Sequence, residues 1–295
     1  MTEPLARPDA SSAPHDGAPD PCRPVRLVAD DGAVLTFCAH GGHVLGWSPA
    51  GGEERLWLSR DTGCGPGTAV RGGIPVIWPQ FAARGDGPRH GVVRDRAWEV
   101  LQAGTDDRGA ATARLRLVSD GTTTPYPHAF TLHLDAVAVG AELSVRLWVR
   151  SEGTAPLTFT AALHTYLRVS STADARLTGL EGRTAEANDG SGSTVLPQGP
   201  LPVVGPVDVA VAGVEPGTQG AVVLRDPVLG ATVLTADGFG SRVVWNPGPG
   251  GAPGDVHPGG EGEFVCVEPA QLEPVTLSPG GEWTGCQVLR ADAPA

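Results

Sequence analysis

The sequence of 295 residues has no lysine, one methionine, two tyrosines and no apolar run long enough to span a bilayer. All 21 basic residues are arginines, and 33 acidic residues leave a formal charge of −12. That balance speaks against nucleic acid or an anionic membrane as a partner, because both call for a basic face. A small anionic substrate stays open, since a few local arginines outweigh a remote field that salt screens. Cysteine is scarce and odd in number: Cys22, Cys38, Cys64, Cys266 and Cys286, with no C-x-x-C pair. We therefore expect a reduced, cytoplasmic protein with neither a disulfide framework nor a zinc site. His40 and His43 share a Gly-rich turn but have no Cys or His neighbours in sequence to complete a metal site. Also absent are a G-x-S-x-G elbow, a Walker loop, an H-E-x-x-H helix and a Rossmann fingerprint. Heptads, internal repeats and amphipathic helices are missing too. Residues 1–24 are rich in Pro, Ala and Asp without an apolar signal core, and read as a disordered arm.

What is present is β punctuation. The chain holds 42 glycines and 28 prolines, spread along its length and separating short apolar runs. Asp30-Asp31-Gly32 between two such runs signals a hairpin. Alternation is clearest in mid-chain: Phe130, Leu132, Leu134 and Ala136 oppose Thr131, His133 and Asp135, and Leu143, Val145, Leu147 and Val149 oppose Ser144, Arg146, Trp148 and Arg150. A period of two over successive segments predicts half-buried antiparallel strands. Leu157–Leu167 reads as one strand with Thr160, Ala162 and His164 on one face; residues 178–219 read as loops and turns. The expected fold is all-β, a single β-sandwich over residues 25–290, with a short tail at 291–295.

Three islands carry the chemistry. The first, Arg71–Arg96, reads RGGIPVIWPQFAARGDGPRHGVVRDR, a Gly- and Pro-stiffened loop holding Arg71, Arg84, Arg89, Arg94, Arg96 and His90. The second is His164-Thr165-Tyr166. In the third, Cys266-Val267-Glu268-Pro269, Glu268 shares a strand face with Phe264 and Cys266, a setting that shifts a carboxyl pKa. A solvated Arg-rich loop and a hydrogen-bonded strand-edge His are the plain structural alternatives for the first two. Trp78 and Trp245 read as core residues ahead of sugar-stacking ones, and Cys38 and Cys266 as small core residues ahead of nucleophiles.

Taken in order, RGGIPVIWPQF, RHGVVRDRAWEV, HTYLRV, VVWNP and VCVEPAQ resemble the hexose-6-phosphate 1-epimerases of the aldose 1-epimerase superfamily. The resemblance runs from about Val25 to Leu289. It implies a galactose-mutarotase-like β-sandwich (a supersandwich), interconversion of the anomers of a sugar phosphate, and no cofactor. It further implies that His164 and Glu268 are catalytic, and that Arg71 and Arg94 face the substrate phosphate. His90, Arg89 and Asp208 then join the substrate-binding set, Asp208 by spacing alone. The Gly/Pro-rich segment 246–262 departs from relatives, which carry charged and aromatic residues there. The expected partner is a small sugar phosphate, and the protein is expected to be a monomer; a free-sugar aldose 1-epimerase and a non-catalytic carbohydrate-binding protein are the alternatives. Ring opening needs a base at O1 and an acid at the ring oxygen, roles given to Glu268 and His164, with a sugar ring expected between them.

Overall fold

Alternation in the sequence becomes two large antiparallel sheets laid face to face. The computed structural model describes residues 20–121 and 125–292, and among these it has twenty strands, two short 3₁₀ turns and no α-helix. Most of the expected 1–24 arm and the end of the tail lie outside the described residues. The nine-stranded sheet runs in the order Leu201–Pro202, Arg176–Thr178, Val222–Asp226, Gly230–Asp237, Glu282–Asp292, Glu142–Ser151, Ala129–Val139, Ala111–Asp120, Glu99–Thr105. The second runs Ser193–Val195, Thr184–Ala187, Val207–Ala212, Ser241–Asn246, Phe264–Leu277, Leu157–Leu163, Val76–Ile77, with Tyr166–Arg168 paired onto Phe264–Leu277. A three-stranded meander of Val25–Val28, Val34–Cys38 and His43–Ser48 completes the molecule, its hairpin closing at the predicted Asp-Asp-Gly turn. No helix of the described residues is long and apolar enough to cross a membrane.

The core lies between the sheets. Leu132, Leu134, Leu147, Val149 and Leu289 from one meet Phe159, Ala161, Leu163, Val244, Val265 and Val267 from the other. Truncating a leucine in such a core to alanine costs about 2–5 kcal/mol. Because side chains alternate along a strand, the residues between these in the second sheet point to its opposite face. That puts Val243 opposite Glu268, and Asp208, Trp245 and Cys266 side by side across three strands. This is the site face.

Four expectations change here. Residues 178–219 are not all loop: Thr184–Ala187, Ser193–Val195, Leu201–Pro202 and Val207–Ala212 are strands. The first three are only two to four residues long and set among Gly and Pro, so period two never establishes itself there, whereas Val207–Ala212, VDVAVA, does alternate. Leu157–Leu167 is two strands, interrupted at His164-Thr165. Residues 20–24 do not hang free, since the His40 N–H donates to the Pro21 carbonyl (2.8 Å). Finally, Cys22 and Cys64 form a disulfide across 42 positions, against the expectation that all thiols are free. Spacing could not reveal it, because the two segments meet only through the tertiary course of the chain.

Candidate functional site

Glycine geometry fixes the loops that frame the site. Gly73 sits at φ +63, and a Cβ there would lie 2.3 Å from the Val44 carbonyl oxygen. At Gly91, φ +77, it would lie 2.0 Å from that of Trp78. Only glycine fits either position. The first turn delivers Arg71 to the site face, the second His90 and Arg94. His90 itself adopts φ +66, a left-handed conformation uncommon for a non-glycine residue and frequent at functional sites.

These loops, the His164 turn and the site face enclose one cavity of about 410 Å³. It is lined by Arg71, Arg89, His90, Arg94, His164, Asp208 and Glu268, all seven expected site residues. His164 Nε2 lies 3.4 Å from Glu268 Oε1. The expectation of a ring-sized gap between them is wrong: the two groups touch. Glu268 is 1 % exposed, and its Oε2 and the Nδ1 of His164 are buried without a partner. Leaving buried polar atoms unsatisfied costs about 1–3 kcal/mol each, which marks the pair as kept for something other than stability.

Electrostatics sharpen the pair. Burial pushes the Glu268 carboxyl well above its usual range, and Asp208 adds repulsion. Burial also pulls the His164 imidazole well below its usual value, reinforced by His90, Arg71 and Arg94. An ion pair at 3.4 Å and two neutral groups differ only in where one proton sits, and both shifts favour the neutral arrangement in the empty cavity. His90 is held neutral too, its pKa pushed down to about 3 by burial, Arg94 and Arg89. Its Nδ1 accepts the Ala82 N–H (3.4 Å), so the proton is on Nε2 and that nitrogen is a donor.

The arginines differ in what already holds them. Arg71 donates to Asp255 Oδ1 through Nε (3.0 Å) and to the Tyr166 hydroxyl through Nη1 (2.8 Å). Arg94 makes one contact, to the Arg89 carbonyl at 3.4 Å, and has no carboxylate partner among the described residues. Like-charged Arg71 and Arg89 flank it, and with burial they lower its pKa. Unneutralised guanidinium groups at the mouth of a cavity form an anion site.

Sequence reasoning missed several supports. Tyr166 stacks on His164 with centroids 4.9 Å apart and rings 12° from parallel, while also bonding Arg71. The Thr165 hydroxyl donates to Gln287 Oε1 (2.8 Å) of the opposite sheet, fastening the turn that carries His164. Trp245, expected in the core, lines the cavity and meets His164 edge-on; Trp78 does lie in the core, against Phe130. Asn188 donates to Asp208 from a turn that carried no signal beyond its Asn-Asp-Gly composition. The Gly/Pro-rich segment places Pro253 at the cavity and Asp255 on Arg71, its base clamped by Asn246 Nδ2 to the carbonyls of Glu261 and Phe264 (2.8 Å each).

The sequence profile of the Aldose 1-epimerase family matches residues 24–290. A protein of Escherichia coli with the provisional name glucose-6-phosphate 1-epimerase is 35% identical over 250 residues, 83% of this chain and 82% of that one. One from Cenchrus ciliaris with the same provisional name is 33% identical over 267 residues, 85% of this chain and 79% of that one. The crystal structure of a provisionally assigned mutarotase from Salmonella typhimurium superposes with a TM-score of 0.77 at 29% identity, covering 88% of each chain.

Proposed function

Because the chain belongs to the aldose 1-epimerase family, we propose that its cavity interconverts the α and β anomers of a hexose 6-phosphate, glucose 6-phosphate foremost. The protein is an epimerase with the galactose-mutarotase-like β-sandwich. The observation that carries the phosphate is the cluster of Arg71, Arg89 and Arg94 in the same cavity as the His164–Glu268 pair, with Arg94 unneutralised.

The 3.4 Å contact suits the reaction. Both O1 and the ring oxygen are bonded to C1, so the base and the acid must work side by side, not across a ring. One group takes the O1 proton as the other protonates the ring oxygen; the C1–O5 bond breaks, giving the open aldehyde. Rotation about C1–C2 and reversal of both transfers close the other anomer. In the empty cavity the shared proton rests on Glu268, with His164 neutral. A phosphate dianion on Arg71 and Arg94 offsets the arginine charges that add to burial in depressing His164. The proton then moves toward the imidazole, giving the carboxylate base and imidazolium acid that ring opening uses. Neutral His90 donates from Nε2 to a sugar oxygen, and Asp208 with Asn188 accepts hydroxyls at the far wall.

Anomer exchange by NMR, on glucose 6-phosphate and on glucose side by side, tests this reading. We expect fast exchange on the phosphate and slow exchange on the free sugar. Equal rates on the two would shift the assignment to a free-sugar epimerase.

A further inference from the structure

Away from the cavity, Cys22, Cys64 and His40 come together: the two sulfurs and a ring nitrogen lie within 4.8 Å of one another. We propose that this trio is a redox-gated binding site for a thiophilic divalent cation of the Zn²⁺ class, occupied when the Cys22–Cys64 bond is reduced. Two thiolates and an imidazole are the donors such an ion prefers. Metal–sulfur and metal–nitrogen bonds of about 2.3 and 2.0 Å place tetrahedral donors within the span the trio already has. A water completes four-coordination.

Two features argue for a built site beyond the disulfide. The first is the histidine tautomer. His40 is 1 % exposed and its Nε2 lies 2.8 Å from the Thr68 carbonyl oxygen. A carbonyl only accepts, so Nε2 carries the proton and Nδ1 keeps its lone pair for a metal. A ring N–H fixed on a backbone carbonyl is the outer support that metal-binding histidines have. The second is that contacts other than S–S hold the ligands near. The His40 N–H donates to the Pro21 carbonyl (2.8 Å), the Cys22 N–H to Asp20 Oδ1 (2.9 Å), and the Thr68 N–H to the Gly65 carbonyl (2.9 Å), closing the turn beside Cys64. Cutting the disulfide therefore leaves both cysteines tied to His40 through their neighbours. Cys64 is exposed and Cys22 half-buried, so a reductant reaches the bond.

The interconversion balances. A dithiol reductant gives two electrons and two protons to the S–S bond, yielding two protein thiols and its own disulfide. The divalent cation then displaces both thiol protons to solvent and bonds two thiolates and neutral His40.

Metal stoichiometry on the full chain tests the proposal. Protein is reduced with a water-soluble phosphine, desalted without air, equilibrated with Zn²⁺ and gel-filtered; an oxidised sample runs beside it. We expect about one Zn²⁺ per reduced chain and almost none on the oxidised chain. The Cys22→Ser/Cys64→Ser double variant should lose that equivalent, and His40→Asn should bind on the order of tenfold more weakly or worse. Cys266→Ser should keep it, which separates this site from the His164–Cys266–Glu268 group in the cavity. With Co²⁺ as probe, thiolate-to-metal charge transfer should appear in reduced wild type and vanish in the double variant. A reduced wild type that binds no metal, or a double variant that binds a full equivalent, overturns the proposal.

Discussion

The outer face of the nine-stranded sheet and the cavity face of the other sheet use the same charged residue types to opposite effect. Outside, Arg114 pairs with Asp135 and Arg116 with Glu99 across neighbouring strands, in reach of water. These two pairs are exposed, and neither is confined. In the cavity, His164 and Glu268 are buried with unpartnered atoms, and Arg94 lies among other arginines. The outer pairs are a solubility surface, each worth about 0–1 kcal/mol. The inner groups are buried with unsatisfied atoms, an arrangement that costs stability. Polar residues mark function here by being buried and unsatisfied, not by being charged.

The sharpest way to break that contrast is at the pair itself. Glu268→Gln and His164→Asn should each slow anomer exchange by on the order of 10²–10⁴-fold, mainly in kcat. A folded variant with near-wild-type exchange would remove that residue from the reaction.

Next comes the anion site. Arg94→Ala should cost about 1.5–3 kcal/mol in kcat/KM for glucose 6-phosphate, the scale of a hydrogen bond to a charged group, and change little for free glucose. Arg71→Ala should behave likewise, with added loosening because Arg71 also holds Asp255 and Tyr166. Raising salt should weaken the phosphate substrate more than the neutral one. Equal losses on both sugars would assign the arginines to hydroxyls or to the loop.

A smaller effect appears in stability. The folded Glu268 carboxyl titrates above its unfolded value, so its favourable contribution is complete below about pH 4.5 and fades as pH rises through the folded pKa. Glu268→Gln cannot ionise and escapes that loss. Its Tm should match wild type near pH 4 and exceed it at pH 7.5, by on the order of 2–4 °C for each kcal/mol relieved. A variant less stable than wild type at pH 7.5 would mean that the carboxylate is stabilised where it lies. The smallest effect belongs to the outer face: Arg114→Ala should shift stability by no more than about 1 kcal/mol and leave exchange rates untouched.

Legibility in the sequence follows the same division. Ala129–Val139 and Glu142–Ser151 have one face in the core and one toward solvent, so their pattern alternates and their strands could be read directly. Leu157–Leu163 and Ser241–Asn246 are covered on both faces, by the core and by the cavity loops, and their pattern is nearly continuous burial. There the chemistry was found through the order of five motifs, and periodicity alone would have left His164 a strand-edge residue.

By itself, the sequence determined the all-β class and the Gly/Pro punctuation, since these depend on neighbours a few positions apart; the residues that line the cavity followed from the resemblance of five motifs in order. Only the tertiary structure decided that His164 and Glu268 touch, that Tyr166 and Gln287 hold the turn between the strands, and that Asp255 reaches back to Arg71. It alone joined Cys22 to Cys64 beside His40. Apart from the stack of Tyr166 on His164 two positions away, these are contacts between segments tens to more than a hundred residues apart. Local spacing carries no information about such a distance until two sheets have packed and fixed it.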